Sequence, residues 1–173
     1  MSLSDQLKES ARWFDAACDD MSAACILAER GMHATACFHA QQSLEKAFKG
    51  LLMAHGTLPK THSIEELSGM VPVEGGWDER EVIKLDRFYI AARYPDALPS
   101  GSTVRKHFTK KDAQEAITIA QGGMDLLMRW AASLGVRVPD SGIPAAQAAA
   151  MDPGQSHEMR DKEPDREDST PSS

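Results

Sequence analysis

The sequence predicts an all-α fold, an antiparallel up-and-down four-helix bundle, on three observations. Apolar residues recur in steps of three and four along four long stretches, no stretch alternates with the period of two expected of a half-buried strand, and glycine or proline closes each helical stretch. Amphipathic helices joined by loops bury their apolar stripes most economically by packing side by side at shallow angles. At 173 residues the chain has room for one domain of common size, roughly 100–150 residues, and a segment beyond it.

The first helix is carried by Leu7, Ala11, Phe14, Cys18, Met21, Cys25 and Ala28, and Gly31 closes it. The second runs from about His33 to His55, with Ala34, Cys37, Leu44, Phe48 and Leu51 on one stripe and Phe38 and Leu52 beside it. Its apolar surface covers more than half its circumference, which predicts a central helix, and Gly56 suits the left-handed position after its end. Residues 57–77 read as a connector holding Pro59, Pro72, Gly75 and Gly76, with a short helix opened by a Ser63/Glu66 capping box and running to about Gly69. A third long helix is expected from Asp78 to Arg93, with Val82, Leu85, Tyr89 and Ala92 inward and Glu79, Arg80, Lys84 and Asp86 mostly outward; Pro95 ends it. Thr109 caps the fourth, whose stripe is Ala113, Ile117, Ala120, Met124, Leu127, Ala131 and Leu134, and Gly135 stops it. Gly122-Gly123 falls inside that pattern and reads as a site of close helix packing or a kink.

The bundle is thus assigned to residues 1–137, and residues 138–173 to a disordered acidic tail whose few large apolar residues cannot offset the entropy of ordering. An Ala-rich patch at 145–150 is its one helix-prone stretch. From residue 139 on there are eight acids against three Lys or Arg, so five of the seven excess negative charges sit in the tail and the body is nearly neutral. Bulk charge therefore does not favour nucleic-acid binding, and only a local basic patch can supply it. Cys18, Cys25 and Cys37 fall on apolar helical positions and in no Cys-x-x-Cys spacing, as buried thiols of a reducing compartment do. No secretory leader pattern and no apolar run of membrane-spanning length is present, so a cytoplasmic protein without membrane association is expected.

Polar residues on a central helix need partners, and the second helix carries His39, Gln41, Gln42, Ser43, Glu45, Lys46 and Lys49. Glu45 and Lys49 are spaced for an intrahelical ion pair. Gln42 and Lys46 share a face with His39, and an amide beside an ammonium in a groove suits phosphate. A second cluster, Tyr89, Arg93, Tyr94, Pro95 and Asp96, closes the third helix; there Arg93 suits two roles, a cap for the helix end or a fork for phosphate or carboxylate. His62 precedes the short helix, positioned to bond a backbone group or an acid. The histidine spacings form no zinc-ligand set, so neither metal nor cofactor is expected, and phosphate-loop, dinucleotide and nucleophile-elbow motifs are missing.

Phe38-His39-Ala40-Gln41-Gln42-Ser43-Leu44-Glu45-Lys46-Ala47-Phe48-Lys49-Gly50-Leu51-Leu52, then Thr61-His62-Ser63, then Arg93-Tyr94-Pro95-Asp96, resemble a HEPN domain in order and spacing over about residues 8–136. The resemblance implies a bundle of four or five helices, a homodimer, and association with a nucleotide, RNA or a partner minimal nucleotidyltransferase of a prokaryotic toxin–antitoxin pair. Many members that this chain resembles are metal-independent ribonucleases bearing an Arg, four to six residues, then a His. No arginine here has a histidine at that spacing; Arg93 is followed there by Leu98, Pro99 and Ser100. The reading is therefore a non-catalytic module whose ligand-binding residues are Gln42, Glu45, Lys46, Lys49, Arg93 and Tyr94. The alternative is a ribonuclease that pairs Arg93 with a displaced histidine, His39, His62 or His107.

Overall fold

The structure is a computed structural model that describes residues 1–71 and 78–139. Pro72, Gly75 and Gly76 of the expected connector, and the expected tail from residue 140 on, lie outside the described residues. All regular structure among the described residues is helical. Three helices are long: α1 (Leu3–Glu29), α2 (His33–Ala54) and, later in the chain, α7 (Lys110–Ser133). Between them lie the short helices α3 (Ile64–Met70), α4 (Glu79–Val82), α5 (Arg87–Ala91) and α6 (Val104–His107).

Helix α2 is central, as its wide apolar surface predicts: sixteen of its 22 residues are buried, between α1 on one side and α7 on the other. Pairs along the helices give their directions. Ser10 donates its hydroxyl to the Gly50 carbonyl at 2.7 Å while Asp20 meets His39 and Lys46, so α1 and α2 run antiparallel. Gly123 faces Leu44 and Trp130 faces His55, so α7 runs parallel to α2, as the fourth member of an up-and-down order must. Two glycines bring the backbones close. A Cβ on Gly50 would stand 2.9 Å from the Phe14 ring, and one on Gly123 would stand 2.7 Å from Leu44 Cδ1. Gly122 has nothing within 4 Å, so the close-packing role belongs to Gly123.

Helix α2 stops where expected. Gly56 has φ +80°, its N–H bonds the Met53 carbonyl and that of Thr57 bonds the Leu52 carbonyl, both at 2.9 Å, the double bond of a Schellman end. Helix α7 opens with Thr109 and Asp112 in a reciprocal capping box. The Ser63 cap of α3 differs from expectation. Ser63 Oγ accepts the Glu66 N–H, but the Ser63 N–H goes to Thr61 Oγ1, and the carboxylate of Asp86 takes the Ile64 and Glu65 N–H groups at 2.6 and 3.1 Å. Asp86, expected outward, is therefore the anion at the start of α3.

The third long helix is not continuous. A 3-10 turn, Ile83–Asp86, separates α4 from α5. Three residues per turn place Val82, Leu85 and Phe88, each three apart, on the buried side, and Ala92 follows them. Phe88 thus takes the core position that an α-helical period assigns to Tyr89, and Tyr89 turns toward the surface. At the far end Leu134, expected in the core stripe, is the C-cap of α7 and remains exposed. No helix among the described residues is long and apolar enough to cross a membrane.

Candidate functional site

The polar residues of α2 gather into two neighbouring clusters. The first is built on Glu45, whose side chain is 3% exposed. Its Oε1 accepts Lys49 Nζ and His62 Nδ1, both at 2.9 Å, and its Oε2 accepts the side-chain amides of Gln42 at 2.9 Å and Gln41 at 3.3 Å. A carboxylate so buried persists only with its lone pairs filled by donors, and here four donors fill them. Gln41 also donates to the His62 carbonyl at 3.2 Å, and Gln42 donates to Gln41 Oε1 at 2.6 Å, so the segment before α3 is stitched to α2 by both backbone and side chain. Lys49, 6% exposed, lies 5.8 Å from the Trp13 ring of α1.

The second cluster lies at the α1–α2 seam. Asp20 accepts His39 Nδ1 at 2.8 Å and Lys46 Nζ. Burial by itself raises the Asp20 pKa, but the hydrogen bonds and charges of His39 and Lys46 outweigh it and hold the carboxyl below its ordinary range. Lys46 and Lys49, both expected to line an anion groove, therefore each already face a carboxylate.

Arg93 is differently placed. Its Nε donates to the Tyr89 carbonyl at 2.7 Å, the capping role, and its guanidinium lies 4.8, 4.4 and 5.1 Å from the rings of Phe38, Tyr89 and Tyr94. No carboxylate lies within ion-pair distance of it among the described residues. Tyr89 also stacks on His62, with ring centres 5.1 Å apart and planes 15° from parallel. One aromatic ring thus touches both Arg93 and the imidazole anchored to Glu45. An open cleft of about 350 Å³ beside it is lined by His62, Ser63, Asp86, Tyr89 and Ile90.

Of the residues expected in one groove, Gln42, Glu45 and Lys49 come together with His62, Lys46 turns to Asp20, and Arg93 and Tyr94 form an aromatic shelf against Phe38. Asp20 and Trp13 carry no signal within α2 itself and were not expected. Their spacing on α1 does not show which α2 residue they meet.

The HEPN-domain family model matches residues 10–130. The chain belongs to the HEPN family. Among solved structures this HEPN protein is similar to TT1696 from Thermus thermophilus, with a TM-score of 0.65 and 36% identity over 69% of this chain and 96% of that one. It is also similar to ST0689, an archaeal HEPN homologue, with a TM-score of 0.54 and 29% identity over 76% of this chain and 98% of that one. Among curated proteins it is 22% identical over 120 residues to "Putative toxin MJ1304" of Methanocaldococcus jannaschii, covering 63% of this chain and 79% of that protein. The matched span contains both clusters and the Arg93 shelf.

Proposed function

We propose that this HEPN protein is a non-catalytic binding module that holds a nucleotide or RNA phosphate on Arg93. The observation that carries the reading is the state of that side chain. Its Nε is used by the Tyr89 carbonyl and its guanidinium carbon stands 4.4 to 5.1 Å from three ring centres, which leaves both terminal nitrogens as a fork. Tyr94 is half exposed beside it and offers a face on which a base can stack. Glu45 and Gln41 hold the His62 segment, whose imidazole stacks on Tyr89 beneath Arg93, and Gln42 and Lys49 in turn hold Glu45.

In this reading the protein acts as a homodimer and partners a minimal nucleotidyltransferase in a toxin–antitoxin system; the likeness to a protein named as a putative toxin supports a place in such a system and does not bear on the partner. Titration of the purified protein with nucleotides and short RNA tests the site. A charge-assisted bidentate contact contributes about 1.5–3 kcal/mol, so Arg93→Ala weakens binding roughly 10- to 100-fold. Arg93→Lys restores little of it, because an ammonium lacks the fork. Equal affinity in all three proteins sinks the reading. Light scattering checks the dimer, whose mass is twice the 18.9 kDa of the chain.

One observation favours a second reading, metal-independent RNA cleavage. His62 is 52% exposed, its Nδ1–H is held by buried Glu45, and its ring shares Tyr89 with Arg93. A carboxylate that fixes an imidazole by Nδ1 leaves Nε2 to take the proton of a 2′-hydroxyl. The 2′-oxygen then bonds phosphorus as the bond to the 5′-oxygen breaks, the leaving oxygen takes a proton from water, and the hydroxide so formed is neutralised by the proton His62 carries; the products are a 2′,3′-cyclic phosphate and a 5′-hydroxyl, with Arg93 beside the charge that develops. RNA cut in EDTA by the wild type and left whole by His62→Ala decides for this reading, and RNA left whole by both decides against it.

A further inference from the structure

Outside these clusters the densest run of positive charge on the folded body is a basic row. Arg105, Lys106, His107, Lys110 and Lys111 fall within seven residues, all exposed, spanning the end of α6 and the first turn of α7. None of them lies within ion-pair distance of a carboxylate among the described residues. The acids nearest to it lie alongside without pairing with it: Glu81 and Glu115 line one open cleft with Lys110 and Lys111. Asp112 accepts the Thr109 hydroxyl and N–H at 2.6 and 2.8 Å, and Arg87 stands 4.0 Å from Asp112 and 3.6 Å from Glu115. Lys110 and Lys111 also stand at the positive end of a 24-residue helix, where the backbone dipole disfavours cations. Four formal charges that are mutually repulsive, unpaired and partly opposed by a helix dipole cost stability, and an external polyanion relieves that cost.

The row is held on fixed backbone. Phe108 lies in its middle, buried, with its ring 5.7 Å from that of Phe88 in the core. On either side sits a pair of cations, and His107 presents an exposed ring packed edge-on against Phe108 at 5.0 Å. Paired cations with an exposed flat ring between them suit a strand of phosphates and bases; an acidic peptide has no use for the ring. We infer that residues 105–111 form a contact surface for the phosphate backbone of single-stranded nucleic acid. The inference concerns a surface separate from the Arg93 shelf and holds whether or not that shelf binds a ligand.

The experiment uses the full chain and a labelled, unstructured 20-nucleotide oligoribonucleotide, with anisotropy read from 50 to 200 mM salt. Four phosphate contacts on a single strand weaken binding on the order of 50-fold over that range. Replacing Arg105, Lys106, Lys110 and Lys111 together by Gln flattens the slope of log affinity against log salt by about 0.7 for each cation removed. Circular dichroism of the variant checks that the bundle is retained, and the paired Lys110→Gln/Lys111→Gln variant gives half the change should the fourfold one fail to fold. Arg93→Ala serves as the comparison: loss of binding in that variant with an unchanged slope in the Gln variants overturns this inference and leaves the shelf standing. Preference for poly-glutamate or for phosphatidylglycerol vesicles over the oligonucleotide overturns it as well.

Discussion

Glu45 shows how one residue organises the site. Its carboxylate is buried and holds Lys49, His62, Gln41 and Gln42 at once, so removing it strands an ammonium that is itself 6% exposed. Breaking such a pair from one side costs about 3–5 kcal/mol. Glu45→Ala is expected to lose that much in urea denaturation, whereas Glu45→Gln keeps most of the packing and loses less. The thiols make a second residue-scale prediction. Burial, then the Asp112 charge, pushes the Cys37 thiol up to about 12, and burial also raises Cys25. At pH 8 neither supplies appreciable thiolate. A colorimetric thiol reagent is thus expected to leave both unreacted in the native protein and to count three thiols in denaturant.

At the scale of elements, the α2–α7 contact depends on the lack of one side chain. A Cβ at Gly123 meets Leu44 Cδ1 at 2.7 Å and Cδ2 at 3.3 Å, and Leu44 is fully buried with little room to turn. Gly123→Ala is expected to cost about 1–3 kcal/mol as the core overpacks. Gly122→Ala, with open space around it, is expected to gain about 0.5–1 kcal/mol from lower backbone entropy in the unfolded chain. Opposite signs at adjacent glycines, read from urea midpoints, are the check; destabilisation by both would show that the pair does not divide as described. The broken third helix belongs to the same scale. A turn with a period of three brings Phe88 inside and releases Tyr89 to stack on His62, whereas the sequence pattern, read with an α-helical period, placed Tyr89 inward and gave Phe88 no place.

For the whole molecule, Asp20 couples α1 to α2 and gives folding a pH dependence. Its folded pKa lies below the ordinary 3.8, so its contribution is fully present above that value and is lost as pH falls through the lower folded one. Acid titration followed by circular dichroism is expected to show Asp20→Asn less stable than the wild type at neutral pH, with the difference closing below about pH 4. A constant gap down to the acid transition would remove Asp20 as the link. The charge distribution sets a second molecular property: most of the formal −7 lies beyond residue 138, and the helical body is close to neutral with a basic row at 105–111. Net charge therefore poorly describes what an approaching polyanion meets.

Periodicity determined the helical class, the central place of α2 and most of the buried stripe, and capping chemistry determined the Gly56 and Thr109 boundaries, because each depends on residues a few positions apart. It also singled out the polar residues of α2 and the Arg93 segment, since polar groups on a mostly buried helix stand out against their neighbours. Which partner each of them takes was decided by tertiary structure. Lys46 meets Asp20 and Lys49 meets Glu45; Arg93 instead rests on Phe38, 55 positions earlier in the chain. Those distances are set by how α1, α2 and the segment around α5 pack, and a local pattern carries no record of the separation between chain-distant atoms.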